Sequence, residues 1–236
     1  MINNFKLCII VLAVLSTVFL TCDKSPTNDD TGDTAEWQTV FFDDFNRSDG
    51  PAGSNYSAHI YIPSEGFSDT LSISNNMLKL SGEIYYAIRY VNEVTNDVVR
   101  VSLKCSTTNA PSGSYAFGVS ARTRDVMQQS YQESYSGFVS MDEDSIAILK
   151  LSGSELPPPL ISKAYDVQEN RSYLLELTVN KNDLTFIVKD FVTGIAETLN
   201  VKDTGSLLTG GIVCINGMQS EGDVIYFDDF KIEKYE

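Results

Sequence analysis

The sequence predicts an all-β domain built from two stacked antiparallel sheets, and three observations carry that expectation. Apolar residues recur with period two from Trp37 onward, short turn signals separate the alternating runs, and no segment of helical length carries an apolar stripe of helical period. The tetrapeptide Phe-Asp-Asp-Phe also occurs twice, at 42–45 and at 227–230, near the two ends of the patterned region.

Taken in order, residues 1–21 read as a signal peptide. Lys6 precedes the apolar run Leu7 to Leu20, long enough for a secretory signal and short for a membrane-spanning helix. The run ends in "FLTC", and Cys22 directly after it resembles a bacterial lipoprotein signal, in which that cysteine carries lipid and becomes the mature N-terminus. Residues 22–36 follow as a tether, because "DKSPTNDDTGDTAE" has no aromatic or bulky aliphatic side chain to bury. Its early acidic residues resemble the surface-export signals of some bacterial lipoproteins, while Asp23 after the cysteine also fits inner-membrane retention. The expected location is the cell envelope, on the outer membrane, with the leaflet left open.

Residues 37–236 form the predicted domain, with one apolar-rich core and no internal repeat. Strands are expected at 39–45, 71–80, 84–91, 99–105, 114–122, 135–141, 146–151, 175–179, 184–190, 195–201, 210–216 and 224–234. In one, Val99, Val101, Leu103 and Cys105 alternate with Arg100, Ser102 and Lys104; in another, Leu175, Leu177 and Val179 alternate with Glu176 and Thr178. "NKND" at 180–183 has the chemistry of a hairpin turn. About twelve short strands in one chain imply two face-packed sheets. The longest irregular stretches, 51–70, 123–134 and 152–166, are where loops and a binding surface are expected.

The formal charge of −15 excludes partners that display a phosphate backbone, since nucleic acid calls for clustered Lys and Arg, and it disfavours anionic lipid surfaces. Membrane contact is therefore expected only through the N-terminal lipid, and the domain is expected to be a monomer.

The set "DDFNRSDGPAGSNY", "LSISNNMLKL", "GVSART", "YSGFVSM" and "YFDDFKIE" resembles the concanavalin A-like, laminin-G-like jelly rolls found in bacterial surface proteins. The resemblance spans essentially residues 38–235. It implies a jelly-roll sandwich whose first and last strands lie side by side, and it implies binding of carbohydrate or glycoconjugates, often with calcium and sometimes with glycoside hydrolysis. Two other classes stay open: a divergent polysaccharide-active glycoside hydrolase or lyase, and a structural or adhesive surface protein that binds another protein.

Paired terminal strands make the repeated carboxylates a question of register. With Phe45 opposite Phe230, Asp44 would face Lys231 and Arg47 would face Asp228, and the charges would compensate. With Asp43 and Asp44 opposite Asp229 and Asp228, four carboxylates would crowd together. Calcium, which takes roughly six to eight oxygen ligands, would then be the natural counter-ion. Asp43, Asp44, Asp228 and Asp229 are the candidate metal ligands.

Catalytic signals are sparse. A retaining glycosidase needs two carboxyls about 5 to 5.5 Å apart, and the Glu-x-Asp-x-(x)-Glu run of laminarinase-type enzymes of this fold is absent; the acidic cluster at 142–144 reads as a solvated turn. The single histidine, His59, has neither a nucleophile elbow nor a metal-ligand partner at a recognisable spacing. Cys105 and Cys214 fall within strand patterns and could be bridged or buried as thiols. Aromatic rings are the usual platforms for sugars. Tyr131 and Tyr135, beside a long loop, are the candidate ligand residues, with Arg122, Arg124 and Glu133 as polar partners.

Overall fold

A computed structural model describes residues 35–60, 71–81, 84–90, 92–108, 116–125, 132–153, 157–219 and 224–236 of the chain. Among them sixteen strands run in order: β1 (Trp37–Asp43), β2 (Gly50–Pro51), β3 (Tyr56–Ile60), β4 (Ser72–Ser74), β5 (Met77–Ser81), β6 (Ile84–Tyr90), β7 (Val98–Thr108), β8 (Ala116–Asp125), β9 (Gln132–Ser140), β10 (Ser145–Gly153), β11 (Ile161–Ala164), β12 (Ser172–Asn180), β13 (Asp183–Asp190), β14 (Ala196–Lys202), β15 (Ile212–Gln219) and β16 (Val224–Tyr235). Four strands exceed the sequence expectation: β2, at the start of the stretch 51–70 expected to be irregular, β3 within it, β11 within 152–166, and one more because the strand expected at 71–80 is a hairpin of β4 and β5.

The strands form two antiparallel sheets. One has nine strands, in the order β14-β13-β12-β7-β16-β5-β4-β2, with β1 also paired to β16; the other has seven, in the order β11-β10-β9-β8-β15-β6-β3. Alternation explains the stacking. In β12, Tyr173, Leu175, Leu177 and Val179 are buried between half-buried residues, and in β13 Leu184, Phe186 and Val188 do the same. They meet Phe117, Val119, Tyr135, Val139, Ile146, Ile148 and Ile215 of the seven-stranded sheet in a single core cluster. The sheets come close where Gly137 of β9 faces Phe186: a Cβ there would lie 2.3 Å from Phe186 Cδ2.

The first and last strands do pair, antiparallel, as the repeated tetrapeptide suggested, but in neither expected register. Trp37 lies opposite Tyr235 and Thr39 opposite Glu233; continued unchanged, that register would set Asp43 against Asp229 and Asp44 against Asp228. A bulge between Thr39 and Phe41 shifts the ladder by one residue, so Phe42 faces Lys231 and Asp43 faces Phe230. The extra residue removes the Asp43–Asp229 and Asp44–Asp228 oppositions of the uninterrupted ladder, and the pairing ends at Asp43, before the shifted register would set Asp44 against Asp229.

Cys105 and Cys214 are buried and not bridged to each other. Cys105 faces the core from β7, whereas Cys214 sits between the core residues Val213 and Ile215 and so points to the other side of its sheet. Burial pushes the Cys105 thiol up, away from a reactive thiolate.

Candidate functional site

Two surfaces compete for the role: the outer faces of the two sheets, turned away from the shared core. On the nine-stranded sheet the outward residues are charged and half-exposed, and they satisfy one another across strands. Arg100 pairs with Glu233 at 2.7 Å, Lys104 lies 3.6 Å from Asp228, and Thr185 donates to Asn200 at 2.9 Å. This is a solvated face.

The seven-stranded sheet differs. Across its outer face β10, β9, β8 and β15 place Ala147, Phe138, Gly118 and Asn216 in one row. The next row is Leu149, Ser136, Ser120 and Cys214. The polar groups form one chain: Asn216 Nδ2 donates to Ser120 Oγ, Ser120 and Ser136 share a hydrogen bond of 2.6 Å, and Ser134 and Ser136 share one of 3.0 Å. Ser120, Ser134, Ser136 and Asn216 are all buried although they lie outside the core. Beside them Ala116, Phe138 and Leu149, flanked by Leu151, make a small apolar cluster separate from the core. Ala147 at the end of the Phe138 row is only half-buried, so the face opens to solvent there.

Gly118 shapes this surface. A Cβ at Gly118 would stand 2.2 Å from the Gly137 carbonyl oxygen and 3.1 Å from Phe138 Cδ1, so only glycine leaves a step between Phe138 and Asn216. At the far edge of the same row the register places His59, through Ala87 of β6. Among the described residues the outward positions of β9, β10 and β15 are neither Asp nor Glu, and on β8 the register sets Asp125 opposite Gln132 at the end of the strand. The sequence reading missed the face, although its signal was present: "GVS" and "YSGF" carry Gly and Ser where buried strands usually carry β-branched residues.

The residues singled out from sequence lie elsewhere. Tyr131 is outside the described residues. Tyr135 is a correction: strand parity turns it into the core, fully buried, and so unavailable as a surface platform. Its hydroxyl donates to Asp203 at 2.7 Å and accepts from the Leu208 N–H, and burial followed by the Asp203 bond pushes its pKa up to about 12. Lys150 reaches the same carboxylate at 2.6 Å. Burial alone would raise the Asp203 carboxyl, but the hydrogen bonds from Lys150, Tyr135 and the Gly205 N–H outweigh it and hold it below the ordinary range.

Arg122 is a second correction. It sits in a bulge of β8 with φ at +55°, which turns its side chain away from the outer face and into the end of the sandwich. There the guanidinium donates to the carbonyls of Asp97 at 2.6 Å, Leu208 at 2.5 Å and Lys181 at 3.0 Å. Burial lowers its pKa. Gly211 makes the approach possible, because at φ +116° its missing Cβ would lie 2.6 Å from the Thr123 carbonyl oxygen. Arg124 and Glu133 do face each other across β8 and β9, but at this same end; Arg124 donates to Thr209 at 2.8 Å. The Arg122, Tyr135, Lys150 and Asp203 group pins the segment between β14 and β15 rather than presenting a binding surface.

The four terminal carboxylates do not converge. Asp43 accepts from the Phe45 N–H at 2.8 Å, Arg47 at 2.6 Å and the Tyr56 hydroxyl at 2.8 Å, which ties β1 to the other sheet. Asp44 is exposed and accepts from the Asn46 N–H. Asp228 accepts from the Asp229 N–H and lies near Lys104, yet partial burial and the adjacent Asp229 charge still push its carboxyl above the ordinary range. Asp229 is exposed at φ +49°. Among the described residues no three His, Cys, Asp or Glu side chains gather as a metal site. Arg47, expected opposite Asp228, is instead the partner of Asp43.

No protein-family model matches the sequence, and no curated protein matches it. Solved structures do share the fold. A Bacillus subtilis protein with a galectin-like fold superposes with a TM-score of 0.58 at 12% identity, covering 85% of this chain and 99% of its own. The carbohydrate-binding module CBM66 from Bacillus subtilis gives 0.55 at 10% identity over 78% of this chain and 98% of its own. Lectin UEA-II, solved in complex with galactose, gives 0.57 at 9% identity over 84% of this chain and 100% of its own. The chain is therefore a lectin-like jelly-roll sandwich.

Proposed function

We propose that this protein is a non-catalytic glycan- or glycoconjugate-binding domain, held at the cell envelope by lipid on Cys22, with its ligand seated on the outer face of the seven-stranded sheet. The observation that carries the reading is the row Phe138, Gly118, Asn216 beside the hydrogen-bonded serines. Phe138 offers an apolar surface for the non-polar side of a sugar ring, and Gly118 leaves the step in which the ring rests. The Asn216 amide is the polar group of the row that a sugar on this step would meet, and the fully buried Ser120 and Ser136 hydroxyls hold it in place from behind. The neighbouring folds of a carbohydrate-binding module and a galactose-bound lectin support the ligand class.

A glycan array probed with the full chain, with and without calcium, tests the proposal. Binding to one glycan class is expected, weakened at least about tenfold by Asn216→Leu, which is about 1.4 kcal/mol of binding free energy. No glycan bound, or binding indifferent to Asn216→Leu and Ser136→Ala, would refute the site. Lipidation is tested separately by intact mass and by loss of membrane association in Cys22→Ser.

A further inference from the structure

The exposed apolar side chains of the domain include a group on β1 and β16: Val40 at 40%, Phe42 at 52% and Tyr235 at 42% exposure. Trp37 belongs with them. Tyr235 meets its ring edge-on at 5.4 Å, and Arg100 lies over one face at 4.1 Å. Because Val99 and Val101 enter the core, Arg100 and the Trp37 ring above it stand on the outer face of the nine-stranded sheet. The cations here are already matched: Arg100 and Lys231 pair with Glu233, and Lys234 pairs with Glu236. In a chain of net charge −15 this strip is locally neutral, aromatic and uncovered.

Its position in the chain gives it an occupant. The polypeptide enters the domain at Ala35, two residues before Trp37, and the proposed lipid site is only 14 residues before Glu36. A coil of that length has a root-mean-square span of about 20 Å and cannot exceed about 50 Å. Lipid on Cys22 would therefore hold the start of β1 close to the bilayer, and a weak surface affinity would suffice because the second contact is intramolecular. Tryptophan and tyrosine, with apolar bodies and polar tips, suit the lipid–water boundary.

We infer that the strip formed by Trp37, Val40, Phe42 and Tyr235 docks the domain against the membrane surface, fixing which face of the sandwich points outward. The inference rests on the lipid anchoring proposed above. A neutral strip selects zwitterionic lipid, in keeping with the disfavour that the net charge imposes on anionic surfaces.

Trp37 is the chain's single tryptophan and reports on the strip directly. Full-length lipidated protein is reconstituted into phosphatidylcholine vesicles, with and without lipids brominated near the headgroup end of the acyl chain. Flotation with the vesicles establishes anchoring. Docking is expected to shift Trp37 emission to shorter wavelength and to let brominated lipid quench it. Phe42→Ser with Tyr235→Ser is expected to cut the quenching at least by half while flotation is unchanged. Flotation with unquenched Trp37, or quenching that the double variant leaves intact, overturns docking alone. Quenching that disappears when the protein is diluted in the vesicles assigns the strip to a second copy and also overturns it. Failure to float overturns anchoring and docking together.

Discussion

Replacing Gly137 by alanine tests a close approach of the two sheets. The new methyl would stand 2.3, 2.5 and 2.7 Å from Phe186 Cδ2, Cε2 and Cγ, where carbon atoms prefer about 3.5 to 4 Å. Phe186 is fully buried, so relief requires its ring or the β9 backbone to move by about 1 Å inside a close-packed core. Overpacking of this kind costs about 1–3 kcal/mol. For a domain of this size each kcal/mol lowers the melting midpoint by about 2–4 °C. Urea denaturation followed by far-UV circular dichroism should show a lower midpoint at an unchanged slope. Phe186→Leu added to Gly137→Ala should cost less than the sum of the two single changes, because the smaller side chain vacates the contested space. A loss below about 0.5 kcal/mol for Gly137→Ala, or strict additivity with Phe186→Leu, would refute the claim that the glycine exists to admit the ring. Since Gly137 lies between Ser136 and Phe138, the same contact sets the height of the ligand face.

Arg122→Met should destabilise the domain by about 2 kcal/mol in urea denaturation, since one buried and two part-buried carbonyls lose a charged donor, and Arg122→Lys should fail to restore it because an ammonium cannot reproduce the fork. Stability should fall in acid partly through Asp203. Its folded pKa is depressed, so its contribution is complete above the unfolded value near about 4 and lost as pH falls through the folded one. The stability gap between wild type and Asp203→Asn should accordingly narrow from pH 7 to pH 3, and parallel pH curves would contradict the network. Millimolar calcium should leave the melting midpoint unchanged, because Asp43 is already matched by Arg47; a rise that Asp43→Asn or Asp229→Ala abolishes would return a metal to the terminal strands.

Much of the architecture was written in short-range pattern. Period-two runs located β7, β12 and β13, turn chemistry located the hairpin at 180–183, and the echoed tetrapeptide paired the termini. The candidate site was harder to read. Alternation says that Tyr135 and Ser136 face opposite sides but not which side is the core, and the bulky aromatic was taken for the surface when it fills the interior. Arg122 sits where a bulge breaks the alternation, so parity gave no guide to its direction. Asp203, in "VKDTGS", looks like any turn aspartate until Tyr135 and Lys150, far away in sequence, converge on it.

The amino-acid order alone determined that the chain makes strands, that they stack as two sheets and that its two ends meet, because each follows from side-chain period and local turn preference. Register, facing and the identity of the buried polar row outside the core were decided only in three dimensions. A single bulged residue at Val40 moves every carboxylate after it by one position, and a ring as large as Phe186 chooses which glycine it rests against. Both depend on contacts between residues far apart in the chain, and those contacts exist only once the sheets have packed.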